Sequence, residues 1–133
     1  HIKLRTVFTP ICTIRSLYRV KDVTPFALHS SIVYTYNCAG CGACYVGKTI
    51  RHMNVRIAEH GGVSSLTGKP LSRPPYSAIR EHCSKCVSFD SSNFRILSNG
   101  TTDLDLLIKE SIAIKMLKPS LNQTLSSFEL NLF

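Results

Sequence analysis

Two tyrosines, Tyr34 and Tyr45, flank a Cys38-x-x-Cys41 pair, and Arg56, Glu110 and Asn122 lie downstream. Two phenols, a guanidinium, a carboxylate and an amide are the groups needed to hold and cut a phosphodiester. A phenol can orient or deprotonate an attacking water if neighbouring cations lower its pKa. A guanidinium presents a planar fork of donors to a phosphate as charge develops on it. A carboxylate at an apolar position is costly unless paired or metal-bound, and a hard divalent cation such as Mg²⁺ takes oxygen ligands. Taken singly, each has an ordinary alternative: the tyrosines as sheet aromatics, Arg56 on a solvated helix face, Glu110 at a rim beside Lys109 or Lys115. It is the set that points to chemistry.

The cysteines form a second constellation. Cys38, Cys41 and Cys44 crowd together, Cys83 and Cys86 repeat the C-x-x-C spacing, and Cys12 stands apart. Such spacing suits tetrahedral metal ligation better than disulfides, which rarely close so short a loop. It predicts a structural zinc site in a reducing, intracellular setting rather than a secreted disulfide framework. Cys38 and Cys41 are the first two ligands; the others are either His60 with His82, or Cys83 with Cys86.

The elements that must position these residues can be read from periodicity. Ile32, Tyr34 and Tyr36 alternate with Val33 and Thr35 as a strand. Cys38 to Gly42 make a tight turn, and Ala43 to Gly47 return as the second arm of an antiparallel hairpin. A helix is expected from Thr49, as N-cap, to His60, with Ile50, Met53 and Ile57 as its apolar stripe and Gly61-Gly62 ending it. Arg56 and His60 then lie one turn apart. Residues 61–75 read as a basic loop carrying Lys69 and Arg73. Tyr76, Ile79 and Cys83 mark a short second helix bearing His82, and Phe94–Leu97 a third strand closed by Asn99-Gly100. A last helix starts at a capping-box-like Thr102-x-x-Asp105 and stops before Pro119. Its apolar face holds Leu106, Leu107, Ile114 and Leu117, with Glu110 in the middle.

Composition limits the alternatives. A chain of 133 residues has room for one core. Sixteen Lys and Arg against eight acids leave a formal charge of +8, which favours a polyanionic partner. Lys48 and Arg51 near the hairpin, with Lys69 and Arg73 in the loop, are the candidate phosphate grips. No run approaches the roughly 20 apolar residues that a membrane span requires, and no membrane partner is expected. The start at His1 rather than Met suggests a piece of a longer polypeptide.

These residues resemble the GIY-YIG nuclease superfamily over roughly residues 31–125. Ile32-Val33-Tyr34 stands at the first motif, Ile32 replacing its glycine, and Tyr45-Val46-Gly47 at the second. Arg56, Glu110 and Asn122 match the family's helical arginine, metal-binding glutamate and closing asparagine. More narrowly, the chain is similar to the endonuclease domain of Penelope-like retrotransposons, where a cysteine pair between the tyrosine motifs joins two downstream histidines. Cys38, Cys41, His60 and His82 fit that pattern, as do Lys21-Asp22-x-x-Pro25 and Ile114-Lys115-x-Leu117-Lys118-Pro119-Ser120-Leu121-Asn122. The resemblance implies an α/β fold with a small, mainly antiparallel three-stranded sheet flanked by helices, and a zinc-binding insertion tying the hairpin to the first two helices. It implies a linker at residues 1–30 after an upstream reverse transcriptase, the nuclease domain at 31–125 and a tail at 126–133. It further implies a metal-dependent DNA endonuclease, a nickase using Mg²⁺ or Mn²⁺ at Glu110 and structural Zn²⁺. Its partners would be target DNA, the element RNA and the attached polymerase, in the nucleus. Another class of reading keeps the charge and cysteines only: a zinc-stabilised nucleic-acid-binding module without cleavage.

Overall fold

A computed structural model describes residues 23–122; the segments 1–22 and 123–133, with Cys12, Lys21, Asp22, most of the expected linker and the expected tail, lie outside the described residues. The architecture is mixed α/β, a three-stranded sheet with helices. β1 (Ile32–Asn37) is central, antiparallel to β2 (Cys44–Thr49) on one side and to β3 (Phe94–Asn99) on the other. The β1–β2 register sets Tyr34 opposite Gly47 and Tyr36 opposite Tyr45. Between β1 and β3 the register slips after Val33, leaving Leu97 as the extra residue.

The alternation of β1 is used on both faces, as expected for a central strand covered on each side. Ile32, Tyr34 and Tyr36 face one core with Tyr45, Met53, Ile79 and Phe94. Val33 and Val46 face a smaller one with Leu106, Ala113 and Ile114. The first core is covered by α1 (Met53–Gly61) and α2 (Ala78–Cys83), the second by α3 (Asp103–Leu117). Among the described residues, no helix is long and apolar enough to cross a membrane.

Two helices differ from expectation. Thr49 is the last residue of β2, not an N-cap, and α1 begins after His52. The strand prevails because Thr49 completes the ladder opposite Ile32, which leaves Ile50 off the helix and 61% exposed. Among the described residues no side chain caps α1. Its first N–H, that of Met53, donates instead to the His29 carbonyl at 2.8 Å, while His52 Nδ1 bonds the Leu28 carbonyl. The 3₁₀ turn Phe26–Leu28 thus holds the end of the expected linker against α1. At its other end Gly62 takes φ 74°, the left-handed conformation a glycine adopts without steric cost.

α3 begins as expected at Thr102, whose hydroxyl accepts from the Asp105 N–H. The return bond of the capping box is displaced by one residue: Asp105 accepts from the Thr101 N–H, not from that of Thr102. The buried side is shorter than expected. Leu106 is fully buried, but Leu117 is half exposed.

Candidate active site and metal centre

Tyr34 is the hub of the larger core. Its hydroxyl accepts from Arg56 Nε at 2.8 Å and lies 2.8 Å from His60 Nε2. Arg56 and His60 reach one atom because they stand one turn apart on α1. Arg56 Nε can only donate, so the assignment using every group has the Tyr34 proton donated to His60 Nε2. His60 Nδ1–H then donates to Ser77 Oγ at 2.8 Å, the hydroxyl that also caps α2 through the Arg80 N–H. Gly47 makes room for this cluster: a Cβ there would lie 2.8 Å from both the Tyr34 hydroxyl and the Tyr45 ring.

Burial governs the acid–base character of these groups. It pushes the Tyr34 hydroxyl well above the ordinary phenol range, and the opposing pull of Arg56 is too weak to reverse it. Tyr45 is raised for the same reason, with Arg56 again opposing. The condition under which a phenol could deprotonate water, a pKa lowered by neighbouring cations, is therefore not met, and both phenols stay protonated near neutrality. Burial also takes His60 down to about 3, with Arg56 and Arg80 adding to the shift, so its ring is neutral.

Glu110 lies on α3, which covers the other face of the sheet, one turn beyond the buried Leu106. Its charge acts on both Tyr34 and Tyr45, and its own carboxyl feels Lys48 and Arg56. Burial raises that carboxyl above the usual range, against the charge of Lys48, the Lys48 backbone N–H and Arg56. The α3 acid is thus linked to the hairpin phenols and the α1 guanidinium by charge alone, with no direct hydrogen bond or ion pair to them among the described residues. A single half-buried carboxylate suits a cation that completes its shell with water and phosphate oxygens, the habit of Mg²⁺.

Asn122 works on the backbone rather than in the cluster. Its amide pairs with the outer edge of β2 as a strand would, Oδ1 accepting from Val46 N–H at 2.9 Å and Nδ2 donating to Val46 C=O at 2.7 Å. The Ser120 hydroxyl takes the Cys44 N–H in the same row. These contacts brace the strand carrying Tyr45.

Of the candidate phosphate grips, two are already engaged by acids. Lys48 pairs with Asp103, and Arg51 with Glu59 at 2.6 Å. Glu59 also holds Arg56 at 3.0 Å, a role that the three-residue spacing of the two on one helix signals. Lys69 and Arg73 are exposed in the loop.

The metal-ligating group differs from the expected set in one member. Cys38, Cys41, His82 and Cys86 bring their ligand atoms within 4.8 Å of one another. Cys38 Sγ lies 3.8 Å from Cys86 Sγ, and Cys41 Sγ 3.3 Å from His82 Nε2. A tetrahedral zinc with Zn–S near 2.3 Å separates its sulfurs by about 3.8 Å, so the donors suit zinc. The Cys41 backbone N–H and then His82 lower the Cys38 thiol to about 6, toward the thiolate a metal binds. His60 is not in the group: both its ring nitrogens are used by Tyr34 and Ser77. The clip therefore ties the hairpin to α2 and the turn after it, not to α1. Cys44 and Cys83 are occupied otherwise, by Thr35 and the Tyr36 hydroxyl. The usable signal was His82-x₃-Cys86, which one helical turn and its continuation carry to the same side as the hairpin tip.

No protein-family model, no curated protein and no solved structure matches this chain.

Proposed function

We propose that this protein is a divalent-metal-dependent DNA endonuclease of the GIY-YIG type, a nickase whose product 3′ hydroxyl primes reverse transcription by an attached polymerase. The observation that carries the reading is the Arg56 guanidinium bonded to the Tyr34 hydroxyl beside Tyr45, with the Glu110 carboxylate near enough for its charge to bear on all three. In the cleavage step a water oxygen attacks phosphorus, the bond to the 3′ oxygen breaks, and the proton of the water ends on that leaving oxygen or on solvent.

Each residue has a task that its surroundings favour. Tyr45 is the phenol nearer the surface, 5% exposed against 0% for Tyr34, and it orients the water. Tyr34 is a positioning residue: it fixes Arg56 through Nε and donates a hydrogen bond to the neutral His60 ring. Arg56 offers its remaining N–H groups to the phosphate as negative charge grows, once Glu59 yields. A Mg²⁺ or Mn²⁺ held by Glu110 would neutralise charge at the leaving oxygen. Asn122 keeps β2 in register, and Zn²⁺ at Cys38, Cys41, His82 and Cys86 is structural, with all four positions filled by protein. Lys48, Arg51, Lys69 and Arg73 would grip flanking phosphates, the first two by exchanging their acid partners for DNA.

The complete burial of Tyr34 and the hold of Glu59 on Arg56 favour a second reading, a zinc-stabilised DNA-binding module without cleavage. Supercoiled plasmid separates them. With Mg²⁺ or Mn²⁺ added to zinc-loaded protein, an endonuclease yields relaxed circles that do not form when those ions are left out. Retarded but intact plasmid at every metal concentration would establish the binding module instead.

A further inference from the structure

α3 carries a second apolar face that no described residue covers. Leu104, Ile108, Ile112 and Met116 recur every four residues and are 65%, 39%, 44% and 77% exposed. They form one ridge along the helix. Glu110, two residues from both Ile108 and Ile112, lies about 200° round the helix from each, on the sheet side. The ridge is therefore separate from the candidate active site, and its role is independent of the proposed nuclease activity.

The ridge is complementary to itself. About a twofold axis at the level of residue 110, an antiparallel copy sets Leu104 against Met116 and Ile108 against Ile112. The same operation sets Asp105, which also holds Lys109 of its own helix at 2.8 Å, against Lys115, and both lie within the arc spanned by the ridge. More broadly, the acids Asp103 and Asp105 occupy the first turn of α3, while Lys115 and Lys118 lie at its other end. Antiparallel pairing thus matches apolar with apolar, acid with base, and one helix dipole with the reverse of the other. A parallel copy would oppose like charges.

From this we infer that α3 is the interface of a homodimer, its occupant a second copy of this chain packed ridge to ridge. A helix of about 22 Å buries less than a standard stable interface, so the dimer forms in the micromolar range or above. It leaves both Glu110 side chains facing their own sheets.

Sedimentation velocity of the zinc-loaded chain over a micromolar-to-millimolar series tests this. The expected result is a reversible monomer–dimer equilibrium. Ile112→Glu raises the dissociation constant by at least about tenfold, equivalent to 1.4 kcal/mol. Lys115→Glu weakens it severalfold. Leu66→Glu, at a 95% exposed loop position away from α3, leaves it unchanged. Circular dichroism and zinc content confirm that each variant is folded. A monomer at every concentration, or a dimer indifferent to Ile112→Glu, overturns the inference. So does a Met116 methyl resonance already shielded in the dilute monomer, which would mean that the chain's own flanking segment or another partner takes the ridge.

Discussion

The two ends of the β1–β2 hairpin are built on opposite principles. In its body, Tyr34, His60 and Ser77 are buried, neutral and saturated with hydrogen bonds at 2.8 Å. At its tip, Cys41 and Cys86 are exposed, and their sulfurs have little but each other and a neighbouring imidazole to hold them. The body is organised by burial, which keeps both phenols and the imidazole uncharged. At the tip the backbone turn is closed by Cys38 and Gly42 hydrogen bonds, and a cation would draw the four clustered donors into four short bonds. One hairpin thus combines a centre that the protein preorganises by itself with one that it delegates to a metal.

The contrast is sharpest under loss of a zinc ligand. Cys86→Ala should lower zinc affinity by more than about a hundredfold, beyond the 10–100-fold usual for outer-shell partners alone. His60→Gln should still bind one zinc per chain. Native mass spectrometry reads both; normal zinc loading of Cys86→Ala would move the ligand set back to His60.

Acid should strike the body through His60. Its folded pKa near 3 lies below the ordinary 6.5, so the unfolded chain binds the extra proton between these values. The stabilisation is full above pH 6.5 and declines as pH falls toward 3. At pH 5 the loss is roughly 2 kcal/mol. Because acid also releases zinc, the measurement is the difference in urea stability between the parent and His60→Gln at each pH. A parallel decline in the two would break the assignment.

Asn122→Ala leaves the Val46 N–H and C=O without their partner, a cost of about 1–3 kcal/mol. Thermal melting should show it with zinc content unchanged. The smallest effect belongs to the loop: Lys69→Ala with Arg73→Ala should lower the salt slope of DNA binding by about 2, without altering either centre.

Legibility in the sequence divides along the same line. Strand alternation in Ile32–Tyr36 and the cap at Thr102 were legible because local pattern decides them. Arg56 and His60 on one helix face were legible from their spacing. The fourth zinc ligand was not, because His60 and Cys86 satisfy spacing equally and only packing shows that Tyr34 claims the histidine. The raised phenol pKa values were hidden for a related reason: a sequence displays neighbouring cations but not the burial that outweighs them. The start of α1 was misplaced because Thr49 suits both a cap and a strand, and pairing with Ile32 settles it.

The proposed cleavage requires Glu110 to act with Arg56 and the phenols on one phosphate. The direct measurement compares parent and Glu110→Gln, both zinc-loaded, for Mg²⁺-dependent plasmid nicking and for DNA affinity. A metal contributes several kcal/mol to such a step, so nicking should fall roughly 10³-fold while affinity stays within a few-fold. Nicking by the variant at the parental rate would contradict the central role of Glu110.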